Sequence, residues 1–181
     1  MSETELEEVI EGCKLNIQKY QTKLYESYHP YAKAIVSKYY NDTHTVNDIV
    51  QEGFIKMFES INKFSNEGSF KGWFSRVFRN FTIDKIRSKK YNVEYCDKYG
   101  DDIHYEDDMS KVVMEEKLSD VHSELDKLSS MYGLVFRMYY VEDMQHKEIA
   151  EELSIDIGTS KSNLHRAKKN IQNRLKNKKY E

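Results

Sequence analysis

The chain has 181 residues, of which 39% are hydrophobic and 33% are charged, and its formal net charge is −3. This length allows one ordinary domain or two small ones, and the apolar content is enough to form a core, which excludes a chain that is disordered throughout. The longest apolar runs, such as Met138–Val141, are far shorter than the roughly 18 residues of a membrane-spanning helix, so we expect no direct membrane insertion.

The numbers of cysteine, proline and glycine residues limit the fold class, and the N-terminal sequence indicates the compartment. Two cysteines, Cys13 and Cys96, cannot build a disulfide framework or a cysteine-rich zinc site. The N-terminus is acidic and polar and lacks the basic start and apolar stretch of a signal peptide, so we expect a cytoplasmic protein. One proline and seven glycines supply few turns, which predicts an almost entirely α-helical fold.

Two helices are predicted early in the chain. Apolar residues recur at spacings of three and four from Leu24 to Tyr40, with Pro30 near the start, where proline is tolerated. Thr45 is the predicted N-cap of the next helix. The apolar stripe of that helix is formed by Val46, Val50, Phe54, Met57, Phe58 and Ile61.

A second face of the same helix has polar residues at positions i, i+3 and i+4 and an isoleucine at i+7. These residues are Asp48, Gln51, Glu52 and Ile55. From composition alone, this face is either a solvated surface with one apolar residue or a surface that binds another protein.

The segment from Phe70 to Lys90 combines aromatic and basic residues, and it follows a loop of small polar residues at 64–69. The side chains predicted to face inward are Phe70, Trp73, Phe74, Val77, Phe81 and Ile86. Those predicted to face outward include Arg76, Arg79 and Asn80. This combination suits single-stranded nucleic acid, with Trp73 either a core residue or a stacking platform, and the loop can shape a pocket for one extruded base.

An acidic stretch without apolar periodicity follows, from about Ser88 to Asp108. It predicts two domains, at 1–90 and 112–181, joined by an acidic linker at 91–111. A calcium-binding loop is not expected there, because Asp102 stands where the turn glycine should be if Asp97 takes the first position.

The second domain is predicted to contain a helix-turn-helix. Its first two helices would be built from Val112, Val113, Leu118, Val121, Leu125 and Leu128, and then from Leu134, Val135, Met138, Tyr139 and Val141. A short helix at 145–153 and a brief connection lead to Asp156, a predicted N-cap. The apolar stripe of the long helix that follows comprises Ile157, Leu164, Ala167, Ile171 and Leu175. In a helix-turn-helix, this second helix enters the major groove of DNA.

Positive charge is concentrated at two places in this acidic chain. Residues 158–181 carry eight basic side chains and one acidic side chain, a sum of +7. The second place holds Arg79, Lys85, Arg87, Lys89 and Lys90, with Asp84 opposing them. Two such segments indicate contact with phosphates, although the last few residues are equally compatible with a solvated tail. His165 has no partner at a metal-ligand spacing, so we expect no metal.

Taken in order, these segments resemble the bacterial RNA polymerase sigma factors of the extracytoplasmic-function (ECF) type. Val46–Phe54 resembles the core-binding helix of that family, Phe70–Arg87 its promoter-melting helix, and Ile149–Leu175 its helix-turn-helix. The most specific stretch is Gly158–Lys168. The chain departs from the family pattern at Ser154, where glycine is usual, and at Ser160, where valine is frequent.

The resemblance implies an alternative sigma factor that binds core RNA polymerase and directs it to specific promoters, with no cofactor and no catalytic residue of its own. It assigns polymerase binding to Asp48, Gln51, Glu52 and Ile55. It assigns the minus-ten element and its opened strand to Asn66, Ser69, Arg76, Arg79, Asn80, Lys85, Arg87 and Lys89. It assigns the minus-thirty-five duplex to Thr159, Lys161, Ser162, His165, Arg166 and Lys169. An anti-sigma factor is a further partner that the family suggests.

Two other function classes compete with this one. A helix-turn-helix regulator with an N-terminal sensing or dimerising domain would bind duplex DNA tightly without polymerase, and a dimer would give its target half-site symmetry. An enzyme has little support, because the sequence has no phosphate-binding glycine loop, no nucleophile elbow and no His/Asp/Glu metal pattern.

Overall fold

The computed structural model describes residues 1–89, 125, 128 and 130–178, and every regular element within these ranges is helical. The predicted all-α fold is therefore confirmed. The chain divides into two compact units, Met1–Ile86 and Arg87–Glu181. The predicted linker at 91–111 lies outside the described residues, as does most of the helix predicted from Val112 to Leu128. No helix in the described ranges is long and apolar enough to cross a membrane.

The first unit is built from four α-helices and one 3₁₀ turn. The helices are α1 (Glu3–Lys14), α2 (Gln18–Val36), α3 (Thr43–Ser60) and α4 (Phe70–Lys89), and the 3₁₀ turn is Ile61–Lys63. Helix α1 was not predicted, although Leu6, Val9, Ile10 and Cys13 recur in it at spacings of three and four. It starts at a capping box in which the Glu5 amide donates to Ser2 Oγ at 3.2 Å and the Ser2 amide donates to the Glu5 carboxylate at 3.3 Å.

Aromatic rings fill the core of this unit. Phe54 of α3 lies between α2 and α4, with its ring 4.6 Å from Tyr25 and 5.2 Å from Phe78. Phe78 stacks on Phe74 at 4.5 Å, and both side chains are fully buried. Phe78 was missing from the predicted inward set.

Two predicted helix starts in the first unit were wrong. Helix α2 begins at Gln18, so Pro30 lies in its interior. The polar first turns of α2 lack an apolar pattern and are held instead by α1, where the Tyr20 hydroxyl donates to Glu8 at 2.8 Å. The cap of α3 is Asp42, whose carboxylate accepts from the Thr45 amide at 2.7 Å. The hydrogen bonds from Thr45 lower the pKa of Asp42.

The described part of the second unit contains α5 (Ser130–Tyr140), α6 (His146–Leu153) and α7 (Ile157–Lys178). Helix α7 packs against both α5 and α6. The buried apolar residues of these helices include Leu134, Val135, Met138, Ile149, Leu153, Leu164, Ala167 and Ile171. Leu125 and Leu128 are buried as well, as the sequence predicts.

Two apolar residues that were predicted to face this core are exposed. Val141 lies just beyond the end of α5 and is 39% exposed, and Ile157, the first residue of α7, is 46% exposed. Both lie at helix ends, where the neighbouring helices do not cover them. Ser160 and Asn163 are buried in α7 instead.

Candidate functional site

The predicted polymerase-binding residues lie together on the surface of α3. Asp48, Gln51 and Glu52 are exposed, and Ile55 is 62% exposed. The opposite side of the helix is buried through Val46, Ile49, Val50, Gly53, Phe54 and Met57. We call the four exposed residues the α3 face.

The α3 face is joined to α4 by an ion pair between Glu52 and Lys85. The Lys85 ammonium also lies 5.4 Å above the ring of Phe81. One residue assigned to polymerase and one assigned to the opened DNA strand are thus in direct contact. Spacing along the sequence could not indicate this pair, because the two residues belong to different helices.

The loop before α4 holds two residues in the left-handed backbone region. Asn66 has φ 62° and Gly68 has φ 81°. Ser69 Oγ then accepts from the Gly72 amide at 3.1 Å, which satisfies one of the free amides at the start of α4. Asn66 and Ser69 are both exposed. Hydrogen bonds from Lys14 and, to a smaller extent, Asn66 lower the pKa of Glu11 in α1, which places α1 beside this loop.

Trp73 packs next to this loop. It is half-buried, with its ring 5.5 Å from Phe64 and 5.6 Å from Phe70. It therefore packs against the core while part of its surface remains accessible.

The basic side of α4 has the helical spacing that the sequence predicts. Arg76, Arg79 and Asn80 are related by i, i+3 and i+4, so they lie on one side of the helix. Arg76 and Asn80 are exposed, and Arg79 is half-buried. Arg87 and Lys89 belong to the last turns of α4. The structure brings all of these residues onto one helix that follows the Asn66–Ser69 loop.

In the second unit, α6, a short turn and α7 form the predicted helix-turn-helix. Ser154 ends α6 in the left-handed region, with φ 52° and ψ 49°. Serine adopts at this point the conformation that favours glycine in such turns. Helix α7 begins immediately after Asp156, whose backbone carbonyl accepts from the Ser160 amide at 2.9 Å.

Five of the six residues assigned to the minus-thirty-five element form a surface that we call the recognition face. Thr159, His165 and Lys169 are exposed, and Lys161 and Ser162 are half-buried. The sixth residue, Arg166, is also half-buried, and its guanidinium donates to the Tyr132 hydroxyl of α5 at 3.1 Å. This contact ties Arg166 to α5, so it is less outward than predicted.

Sequence reasoning missed a polar contact that joins the three described helices α5, α6 and α7. His146 Nδ1, in the first turn of α6, lies 2.9 Å from the buried Ser160 Oγ of α7. The imidazole stacks on Tyr139 of α5, with ring centroids 4.9 Å apart. Burial and then the charges of Lys161 and Lys168 lower the pKa of His146, which favours its neutral form. The departure of Ser160 from the family pattern was a signal in the sequence that could have indicated this contact.

The described residues hold no group of three or more His, Cys, Asp and Glu side chains suited to a metal ion. Burial raises the pKa of Cys13 to about 11, which keeps this thiol protonated and unreactive. Within the described ranges, the predicted site residues lie on helix surfaces and in one loop of the two units.

Comparisons with known proteins agree with this arrangement. Residues 24–91 match the family described as sigma-70 region 2, and residues 118–171 match sigma-70 region 4. The ECF RNA polymerase sigma factor SigW of Bacillus subtilis is 30% identical over 75% of this chain and 78% of its own length. The RNA polymerase sigma factor SigV of the same organism is 30% identical over 67% of this chain and 70% of its own length.

Solved structures share the fold. The sigma factor RpoE from Bartonella quintana, in complex with the anti-sigma factor NepR, matches 88% of this chain and 98% of its own length, with a TM-score of 0.52 and 19% identity. CnrH, in complex with the cytosolic domain of CnrY, matches 93% of this chain and 95% of its own length, with a TM-score of 0.51 and 17% identity. With the two sigma-70 regions in order and SigW aligned along most of the chain, the protein belongs to the ECF sigma factors of bacterial RNA polymerase.

Proposed function

We propose that this chain is an alternative sigma factor that binds core RNA polymerase through the α3 face and directs it to specific promoters. The observation that carries this proposal is the exposure of Asp48, Gln51, Glu52 and Ile55 on one side of α3. Ile55, which is 62% exposed, adds an apolar contact at one end of a face that otherwise carries two carboxylates and an amide. The relatives named above are RNA polymerase sigma factors, which supports this partner.

Promoter DNA would be held at two further places. The recognition face of α7 would read the minus-thirty-five element as duplex, because the second helix of a helix-turn-helix enters the major groove. The Asn66–Ser69 loop and Arg76, Arg79 and Asn80 would hold the minus-ten element and its opened strand, with Lys85, Arg87 and Lys89 near its phosphates. Opening would be driven by binding energy, and the chemical step would belong to polymerase.

A helix-turn-helix regulator that acts without polymerase is not favoured. Such a protein needs only the second unit for DNA binding, whereas this chain also matches sigma-70 region 2 over residues 24–91.

An anti-sigma factor is the regulatory partner that we propose. The fold is shared with an RpoE that was solved with its anti-sigma factor. Such an inhibitor would cover both the α3 face and the recognition face of α7, and would thereby block polymerase and promoter DNA. Transcription that stays equal with every candidate inhibitor encoded in the source genome would contradict this proposal.

The test of polymerase binding is a pull-down of purified core RNA polymerase with three forms of the chain. These are the wild type, the triple variant Asp48→Ala, Gln51→Ala, Glu52→Ala, and a control triple variant. The control, Glu7→Ala, Gln18→Ala, Glu26→Ala, also removes two carboxylates and one amide, all from exposed positions on α1 and α2. We expect the wild type and the control to retain polymerase and the α3 variant to lose it.

Promoter-directed RNA provides the second readout. Core polymerase with the wild-type chain should produce specific transcripts that polymerase alone does not. If neither the wild type nor the control binds polymerase, the proposed function is wrong, and tight duplex binding without polymerase would then favour the regulator.

A further inference from the structure

Ile157 lies on the border between the buried row of α7 and its recognition face. The buried row has helical spacing and consists of Ser160, Leu164, Ala167 and Ile171. Ile157 is the first residue of the helix and is 46% exposed. It precedes Lys161 by four positions, so the two side chains are neighbours on the helix surface. Helical geometry thus places an exposed apolar group next to the recognition face.

The surroundings of Ile157 are open. A Cβ atom built on Gly158 would have no atom within 4 Å. Thr159, the next residue, is exposed. The first turn of α7 is therefore accessible to another molecule, and in helix-turn-helix proteins the N-terminal residues of the second helix are those that reach base edges.

The chemistry of the neighbouring residues suggests what covers Ile157. Ile157 is the one large apolar side chain that is exposed among the described side chains of α7, and the segment that it begins is strongly positive. A positive surface attracts the phosphates of DNA. Among the base edges of the major groove, the thymine C5-methyl group is the apolar feature, and aliphatic side chains contact it.

We propose that Ile157 is a specificity-determining residue that contacts the C5-methyl group of one thymine in the minus-thirty-five element. This inference rests on the proposed function, because it requires α7 to lie in the major groove of promoter DNA. It adds an apolar contact to the polar residues of the recognition face. The chain should therefore require thymine at one position for its methyl group and not only for its hydrogen-bonding atoms.

The experiment replaces single thymines by deoxyuridine, which lacks only the methyl group. The minus-thirty-five element is first selected from a pool of duplexes by transcription with the holoenzyme, formed from core polymerase and the full chain. Each thymine of the selected element is then replaced in turn, and holoenzyme affinity is measured by competition binding. We expect one position where deoxyuridine weakens wild-type binding about fourfold. This factor corresponds to ~0.8 kcal/mol, which is the free energy gained by burying one CH₂ group.

The protein variant Ile157→Ala should lose a similar factor on the thymine duplex and should no longer distinguish thymine from deoxyuridine. Ile157→Val should keep part of the discrimination, because it retains branched methyl groups. Ile17→Ala is the matched control, since Ile17 is a 41%-exposed isoleucine in the first unit. This control should discriminate as the wild type does.

Three results would overturn the inference and leave the proposed function standing. These are a selected element without thymine, wild-type binding that is insensitive to every deoxyuridine, and an Ile157→Ala holoenzyme that keeps the methyl preference. A loss of polymerase affinity in Ile157→Ala, with the methyl preference retained, would instead assign Ile157 to a protein contact. If no promoter-directed RNA is made at all, the proposed function fails, and the inference fails with it.

Discussion

At the scale of single residues, the contact between His146 and Ser160 fixes the start of α7. Ser160 Oγ is fully buried, and the imidazole that meets it is stacked on Tyr139. A buried polar atom without its partner costs more than the bond contributes, so the two side chains depend on each other. The pair therefore helps to set how α7 lies against α5 and α6.

We expect Ser160→Ala to destabilise the second unit by about 1 kcal/mol, because His146 Nδ1 loses its hydrogen bond. The measurement is amide hydrogen exchange in peptides from α6 and α7, since the single tryptophan, Trp73, lies in the first unit and does not report on the second. Exchange should become faster in both helices.

The control for this change is Asn170→Ala, which also replaces a polar side chain of α7 but at an exposed position. It should leave exchange nearly unchanged, as surface substitutions usually do. Equal exchange in Ser160→Ala and Asn170→Ala would show that the contact has no role in holding α7.

At the scale of elements, Gly53 sets the distance between α3 and α4. A Cβ atom at this position would lie 2.6 Å from Cε1 of Phe78. The Phe78 ring is fully buried and stacked on Phe74, so it has no free space to move into. Gly53 belongs to the same helix as the α3 face, which means that the close packing of α3 and the exposure of that face come from opposite sides of one element.

The variant Gly53→Ala should destabilise the first unit. Alanine favours the helix by about 1 kcal/mol relative to glycine. The clash with a ring that cannot move should outweigh this gain and give a net loss of about 1 kcal/mol or more. Urea unfolding followed by Trp73 fluorescence measures the effect, because Trp73 packs in this unit.

Ser27→Ala is the matched control for Gly53→Ala, since it introduces alanine at an exposed position of α2, where no clash arises. Its unfolding transition should stay within about 0.5 kcal/mol of the wild type. A Gly53→Ala protein as stable as this control would mean that the α3 and α4 helices can separate at little cost.

The positions of the helices followed from sequence patterns only where apolar residues recur. Of the apolar stripe predicted for α3, the residues Val46, Val50, Phe54 and Met57 are buried, as is Ile61 in the 3₁₀ turn that follows, whereas Phe58 is half-buried. Ile49 is buried without having been predicted. The first turns of α2 were missed because their residues are polar and are held by contacts between helices, such as that of Tyr20 with Glu8. The pattern of residues within one helix does not indicate which residues of another helix they contact. Helix α1 was missed although its buried residues Val9, Ile10 and Cys13 have helical spacing.

At the scale of the whole molecule, positive and negative charge are concentrated in different parts of the chain. The net charge of −3 conceals a segment at 158–181 with a sum of +7. The α3 face has two carboxylates and no basic residue of its own, and one of the carboxylates, Glu52, is paired with Lys85 of α4. Under the proposed function, polymerase would meet this face and DNA would meet the positive segment.

The positive charge of α7 predicts how promoter binding depends on salt. Each phosphate neutralised contributes about −0.9 to the slope of log affinity against log salt concentration. If Lys161 and Lys169 each neutralise one phosphate, the double variant Lys161→Met, Lys169→Met should reduce the magnitude of the holoenzyme slope by about 2. Affinity for a promoter duplex, measured over a series of salt concentrations, gives this slope.

The control for the salt series is Lys19→Met, Lys33→Met, which removes two positive charges from α2. Its slope should equal that of the wild type, because no DNA contact is assigned to this helix. A slope that changes equally in both double variants would mean that net charge, and not contact at α7, determines the salt dependence.

The sequence by itself determined the all-α class, the helix-turn-helix, the two positive segments and the family, because periodicity and charge are properties of residues near one another in the chain. The tertiary structure decided which residues meet across helices. In the tertiary structure, Glu52 forms an ion pair with Lys85, and the buried Ser160 contacts His146. Arg166 donates a hydrogen bond to Tyr132, and Ile157 is exposed at the start of α7. These outcomes depend on how one helix covers another, and the spacing of residues along a single helix does not contain that information.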